Sequence, residues 1–273
     1  MKIAKIILMF TLGGLLALFV GLNIWGYLTL GTLQPAVDTP RDDSANEVVM
    51  IFGATGSAGG GLLVAAIEDP DVDKIYVVTR RSTPLLEASL DSDKVEIRMH
   101  QDFTDYSSMA DILPEVNTVL WALGTSSLQV DEATYTRIHV DFPQAFLRQW
   151  LDARQAAPMS FHFIAGMGTD GDAQWALDKR NTESEAARLA AGTGLRTFSY
   201  RSGFIRPADM QSNSFHYALE ALLTPGHMVI SSEELGGAML EISARTSELE
   251  NGTLIDNADS IAYAQAYSQS RSK

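Results

Sequence analysis

The chain has 273 residues, no cysteine and a formal net charge of −14. Lacking cysteine, it has no disulfides, thiol nucleophiles or thiolate metal sites, and its five histidines, scattered from His100 to His227, show no metal-ligand spacing, so no metal is expected. Lys2 and Lys5 are the only charges before residue 31, which leaves −16 on residues 31–273, a surface that repels nucleic acid and anionic lipid.

The first element is a run of 25 residues, Ile6 to Leu30, without a charged side chain. It is long enough to cross a hydrocarbon core of ~30 Å with some tilt. Trp25 and Tyr27 fall near its far end, where amphipathic rings favour the headgroup level. A cleavable signal would have a shorter apolar region and a small-x-small cleavage site, and Leu22–Leu33 offers no convincing one. A retained single-pass anchor through residues 6–30 is therefore expected, with residues 1–30 as the anchor unit. Gly13, Ala17 and Gly21 lie four apart on one helix face, a spacing that allows close contact between copies. Residues 31–46 read as a linker, with Gly31, Pro35, Pro40 and a polar run from Arg41 to Glu47.

From residue 47 strand and helix patterns alternate. The expected strands are 47–52, 74–79, 94–99, 116–122, 159–165 and 195–200, most of them continuous apolar runs suited to a sheet covered on both faces. The expected helices are 57–68, 105–113, 131–154 and 172–191. Right-handed crossovers then give an α/β fold with a doubly wound, Rossmann-like parallel sheet of order 3-2-1-4-5-6. From Gly203 the pattern loosens, and helical stretches near 232–247 and 257–269 are expected to form a small C-terminal cap over the strand ends.

The first strand runs into VVMIFGATGSAG (48–59), with Gly53, Gly56 and Gly59 spaced G-x-x-G-x-x-G ahead of a helical run. Glycines so placed permit a tight turn, close approach of backbone to a pyrophosphate, and packing of helix on strand. The loop of Gly53, Thr55, Gly56, Ser57, Ala58 and Gly59 is thus the expected dinucleotide cradle, its anion held at the positive end of the helix. A carboxylate at the end of the second strand would bond the ribose and repel a 2′-phosphate. The chain instead has Thr79, Arg80, Arg81 and Ser82 there, a phosphate clamp that favours NADP over NAD. Asp102 reads equally as a cap on the adenine edge or as a helix N-cap, and Gly124 and Thr125 lie beside the expected cofactor path. Tyr135 and His139, four apart, face either the nicotinamide end or a neighbouring helix, and His162 reads as a core or rim side chain.

The stretches GATGSAG, VVTRRS, QDFTD, WALGTS, YTRIHVDFPQAFLRQW, FIAGMGTD and YRSGFIRP, in that order across Glu47 to about Pro207, resemble the atypical short-chain dehydrogenase/reductase family. The resemblance is to its NAD(P)H-binding branch, which includes Tat-interacting oxidoreductase-like and nitrogen-metabolite-repression regulator-like proteins. It implies a Ser after the fifth strand and a Tyr-x-x-x-Lys on the next helix. The chain departs from this pattern: Trp175 stands at the Tyr position, Lys179 is kept one turn later, and Ala165 and Gly166 occupy the Ser place. An indole is a donor only and cannot cycle a proton near neutral pH.

Three readings follow. Lys179 could act alone, or with Thr169 or another hydroxyl, in an oxidoreductase with a degenerate active site acting on an unidentified small molecule. The chain could bind the cofactor without turnover, as a redox sensor or a scaffold for a membrane partner. Or Lys179 is one charge on a solvated helix. The domain of residues 47–273 is acidic and not expected to meet nucleic acid. The positive-inside rule sends it across the membrane, whereas cytoplasmic nicotinamide cofactors argue for the other side; the sequence leaves the side open.

Overall fold

The computed structural model describes residues 2–272. In chain order its principal elements are α1 (Lys2–Thr29), β1 (Val48–Phe52), α2 (Ser57–Glu68), β2 (Lys74–Thr79), α3 (Pro84–Ser89), β3 (Val95–Met99), β4 (Thr118–Trp121), α4 (Glu132–Thr136), α5 (Phe142–Ala153), β5 (Met159–Ile164), α6 (Gln174–Ala190), β6 (Leu195–Arg201), β7 (Phe204–Arg206), α7 (Ser214–Leu223), β8 (Val229–Ser231), α8 (Ser232–Ala244), β9 (Thr253–Asp256) and α9 (Asn257–Arg271).

Seven strands form one parallel sheet in the order β3-β2-β1-β4-β5-β6-β9, and β7 and β8 pair separately. The six expected strands and their order are present. The seventh, β9, is an addition, in register with β6 from Phe198↔Thr253 to Arg201↔Asp256.

Side chains alternate across the sheet, as strand geometry requires. Met50, Phe52, Val119, Trp121, Phe161 and Phe163 pack with Phe146 and Trp150 of α5 and Ala186 of α6. Val49, Ile51, Leu120, Phe198 and Ile255 face the other way, onto Leu62 of α2, Met239 of α8 and Tyr263 of α9. Close approach of α8 to α2 rests on Gly236, where an added Cβ would lie 2.6 Å from Cβ of Ala65. Two expectations are corrected here. The stretches 232–247 and 257–269 belong to the helical layer on this face, because α8 is buried almost throughout; the cap is the smaller segment from Gly203 to Ser231, between β6 and α8. Residues 105–113 are not an α-helix but contribute to two short 3-10 turns, Ser107–Met109 and Leu113–Glu115. Their apolar anchors Tyr106, Met109 and Ile112 recur every three residues, the 3-10 repeat.

Residues 31–46 lie against the domain. The backbone amides of Gly31, Leu33 and Ala36 donate to Asp256, Asp259 and Glu248. Arg41 pairs with the fully buried Glu241 and, at 3.1 Å, with Asp71. Arg271, at the end of α9, pairs with the same Asp71 and with Asp69, both at 2.6 Å. Burial pushes the Asp71 carboxyl up, but Arg271 and Arg41 draw it down further, and it ends below its ordinary value.

Among the described residues one helix is long and apolar enough to cross a membrane, its candidate span running from Met9 to Thr29. Its last turns touch the cap: Asn23 Nδ2 donates to Leu222 O at 3.1 Å, and Gly26 lies against the Gly226 carbonyl.

Candidate functional site

The glycine loop turns where the sheet requires. Gly53 has φ +80°, in the left-handed region, and the Gly56 amide donates to Gly53 O at 2.9 Å. A Cβ at Gly59 would collide with the Gly53 carbonyl, so only glycine lets α2 begin this close to β1. Gly56 is the N-cap of α2 and offers no side chain to it, and Gly60 is the first amide to donate back, to Gly56 O. The amides of Ser57, Ala58 and Gly59 are therefore helix-start donors open to an anion.

A cavity of about 510 Å³ opens between this loop and the ends of β2, β3 and β4. Gly53, Thr55, Gly56, Arg80, Arg81 and Gly124 line it, joining the expected loop to the expected arginine pair. Thr79 Oγ1 donates to Arg81 O at 2.9 Å and accepts from the Arg81 amide, which fixes the turn carrying both arginines. Both are exposed, and among the described residues neither guanidinium pairs with a carboxylate. Gln101 and Phe103 also line the cavity, and sequence reading missed both; Gln101 Nε2 donates to Arg80 O at 3.2 Å. Asp102, between them, accepts from the Thr104 amide and hydroxyl; those bonds hold its carboxyl below the ordinary value and cap its own turn.

At the far end of the sheet, Lys179 is buried in α6. Its Nζ donates to Ile164 O at 2.9 Å and stands 4.8 Å above the Phe163 ring. Burial lowers its pKa to about 7, with Glu183 opposing. Glu183 itself is held by Arg201, 2.8 Å away, which also pairs with Asp170. Trp175, one turn before Lys179, is half-buried, and its ring edge would lie 3.3 Å from a Cβ at Gly168. The loop beneath it turns through Gly166 and Gly168, with φ of +95° and +88°. Thr169 Oγ1 donates to Gly166 O at 2.7 Å, so its proton serves the loop; Arg180 donates to the carbonyls of Thr169 and Gly171.

The sequence singled out Tyr135 and His139 without assigning them. The helix containing them is interrupted by a π turn, Arg137–Asp141, a device frequent at functional sites. The His139 ring packs on Gly124, its Nε2 lies 3.2 Å from the Thr125 nitrogen and 3.0 Å from Thr125 O, and Thr182 donates to its backbone carbonyl. Burial, and then the Lys179 charge, lower His139 to about 3, leaving a neutral imidazole. The Tyr135 ring lies 4.2 Å from that of His139, and burial with Asp178 nearby pushes its hydroxyl up to about 12. Asp178 accepts from Thr136 at 2.7 Å and Gln174 at 2.9 Å. His162 is fully buried, bonded to Tyr200 and Ser243 at 2.8 Å, and belongs to the core.

The sheet order and the glycine turn define a Rossmann-like fold. Solved structures superpose on the chain with the same fold. A 3-oxoacyl-[acyl-carrier protein] reductase from Brucella melitensis is 14% identical with a TM-score of 0.60, covering 83% of this chain and 98% of its own. BdcA in complex with NADPH is 14% identical (TM-score 0.57; 78% and 93% covered). UDP-glucuronic acid 4-epimerase from Bacillus cereus in complex with NAD is 11% identical (TM-score 0.57; 77% and 76%). No protein-family model and no curated protein matches the sequence.

Proposed function

We propose that the chain is an NADP(H)-binding protein of the oxidoreductase type, held at a membrane by α1, with a substrate end altered from that of typical short-chain reductases. One observation carries this reading: the glycine turn and the unshared guanidinium pair of Arg80 and Arg81 open into a single cavity. The residues fit a dinucleotide. The amides of Ser57, Ala58 and Gly59 would take the pyrophosphate, Arg80 and Arg81 a 2′-phosphate, Gly124 and Thr125 would flank the path, and Lys179 would hold the nicotinamide ribose. Asp102 is assigned to the adenine edge in addition to its turn. NAD is the less favoured form. Bound there, the cofactor supplies or accepts hydride.

Lys179, with a pKa near 7, can hold or release a proton at Nζ around neutral pH. The substrate is a small molecule, with Trp175 and Thr169 at its edge. The unit boundaries are residues 1–30, 31–46 and 47–273, with the cap from about 203. Self-association through Gly13, Ala17 and Gly21 belongs to the same reading.

The test is calorimetric titration of NADPH and NADH into the purified protein, followed by a carbonyl-reduction screen with wild type and Lys179→Met. NADPH preference with turnover lost in the variant supports an oxidoreductase. The second reading, a non-catalytic redox sensor or scaffold, is favoured by Ala165 and Gly166 at the Ser place and Trp175 at the Tyr place. It would be supported by NADPH binding without turnover, and absence of binding to either nucleotide would refute both readings.

A further inference from the structure

We infer that α7 is a membrane-surface helix whose outward face lies in the headgroup boundary of the bilayer that α1 crosses; this rests on the anchor reading above. The helix is amphipathic in the unusual sense. Its carboxylate points inward, where Glu220 pairs with Arg206 at 3.0 Å, while Phe215, Ala218 and Leu222 follow one another outward at helical spacing, Phe215 being 70% exposed. An apolar face turned to water is disfavoured unless something covers it.

The junction with α1 identifies what covers it. Asn23, a polar residue in an otherwise apolar stretch, donates to Leu222 O, the carbonyl at the C-terminal end of α7. A Cβ at Gly226 would lie 2.6 Å from the Asn23 Cα, so backbone meets backbone there, and the Tyr27 ring lies 5.6 Å from that of His227. These contacts involve the last two turns of α1, the level of Trp25 and Tyr27, whose rings favour the headgroup region. The end of α7 is thus fixed where hydrocarbon gives way to headgroups. No lysine or arginine lies on α7, so its attachment is by apolar burial rather than by attraction to anionic lipid. The cap that carries it reaches the dinucleotide loop, since a Cβ at Gly60 would lie 2.9 Å from Gln211 Oε1. The open end of the sheet consequently lies at the membrane surface.

The chain has no cysteine, so single cysteines can be placed at will. Phe215→Cys, Leu222→Cys, Leu16→Cys in α1 and Leu90→Cys after α3 are each labelled with a solvatochromic fluorophore in the full-length protein. The variants are reconstituted in phosphatidylcholine vesicles with bromine at shallow or deep acyl positions. Labels at 215 and 222 should shift to the blue and lose most emission to shallow bromines, equally at low and high salt. The label at 16 should respond to deep bromines, and that at 90 to neither. Quenching at 16 with 215 and 222 resembling 90 would overturn the proposal while leaving the anchor intact. Blue-shifted but unquenched labels at 215 and 222 would mean that protein covers the face, and would overturn it too. An unquenched label at 16 would remove the anchor itself, and the proposal with it.

Discussion

Lys179 is an amine withdrawn from water whose nearest bonded partner is a neutral carbonyl, and its protonation bears on stability. Its pKa falls from 10.5 when unfolded to about 7 when folded. Between those values the unfolded chain binds the extra proton, so stability should rise with pH from about 7 towards 10.5 and lose this contribution to its slope below 7. Urea midpoints of wild type and Lys179→Met should diverge across that window; parallel curves would contradict the burial of a titrating amine. At the arginine turn, changing Arg80 and Arg81 together to Ala should weaken NADPH binding about ten- to hundredfold, ~1.5–3 kcal/mol of charge-assisted hydrogen bonding, and leave NADH nearly unchanged. Equal losses for both nucleotides would end the phosphate-clamp assignment. Arg80 and Arg81 were legible in the sequence because two guanidinium groups stand where a carboxylate is usual, whereas Lys179 was picked out only by the family resemblance, which keeps a lysine one turn after the Trp175 position. The setting of His139 was not legible, since its ring is placed on Gly124 by a π turn that no spacing rule announces.

Among the elements, α2 and α8 meet closely at Gly236 and Ala65. Gly236→Val should destabilise the protein by about 1–3 kcal/mol through overpacking against Ala65, read as a lowered urea midpoint with unchanged slope. An unaltered midpoint would mean that the two helices can part freely. Most of the first six strands could be read from the sequence because their apolar runs are continuous; β3 (VEIRM) and β6 (LRTFSYR) instead mix polar with apolar residues. β9 escaped notice: it has four residues, is only partly buried, and is registered by Asn251 accepting from the Thr197 amide at 3.0 Å. The 105–113 segment misled for a related reason. Its apolar spacing of three fits a helix loosely and a 3-10 turn closely, and tertiary packing around Tyr106 decides between them.

At the scale of the whole molecule, charge and chain path act together. Residues 31–273, with a net charge of −16, are kept compact in part by cations placed on buried or half-buried acids, Arg41 and Arg245 on Glu241, Arg41 and Arg271 on Asp71. Since Asp71 has a depressed pKa, its contribution is present above the ordinary carboxylate value and is lost as pH falls through the lowered one. Asp71→Asn should therefore reduce stability at neutral pH and flatten the acid limb of the stability curve; an unchanged acid limb would show the pair to be inert. The same carboxylate joins the strap leaving α1 to the last turn of α9. The domain's entry and exit thus meet at one spot, as in proteins that accept circular permutation. Tension applied along α1 would load the bonds of Gly31, Leu33 and Ala36 to Asp256, Asp259 and Glu248 before it reached the Asp71 clasp, so a pull there would be met first by β9 and its flanking segments and only later by the six central strands.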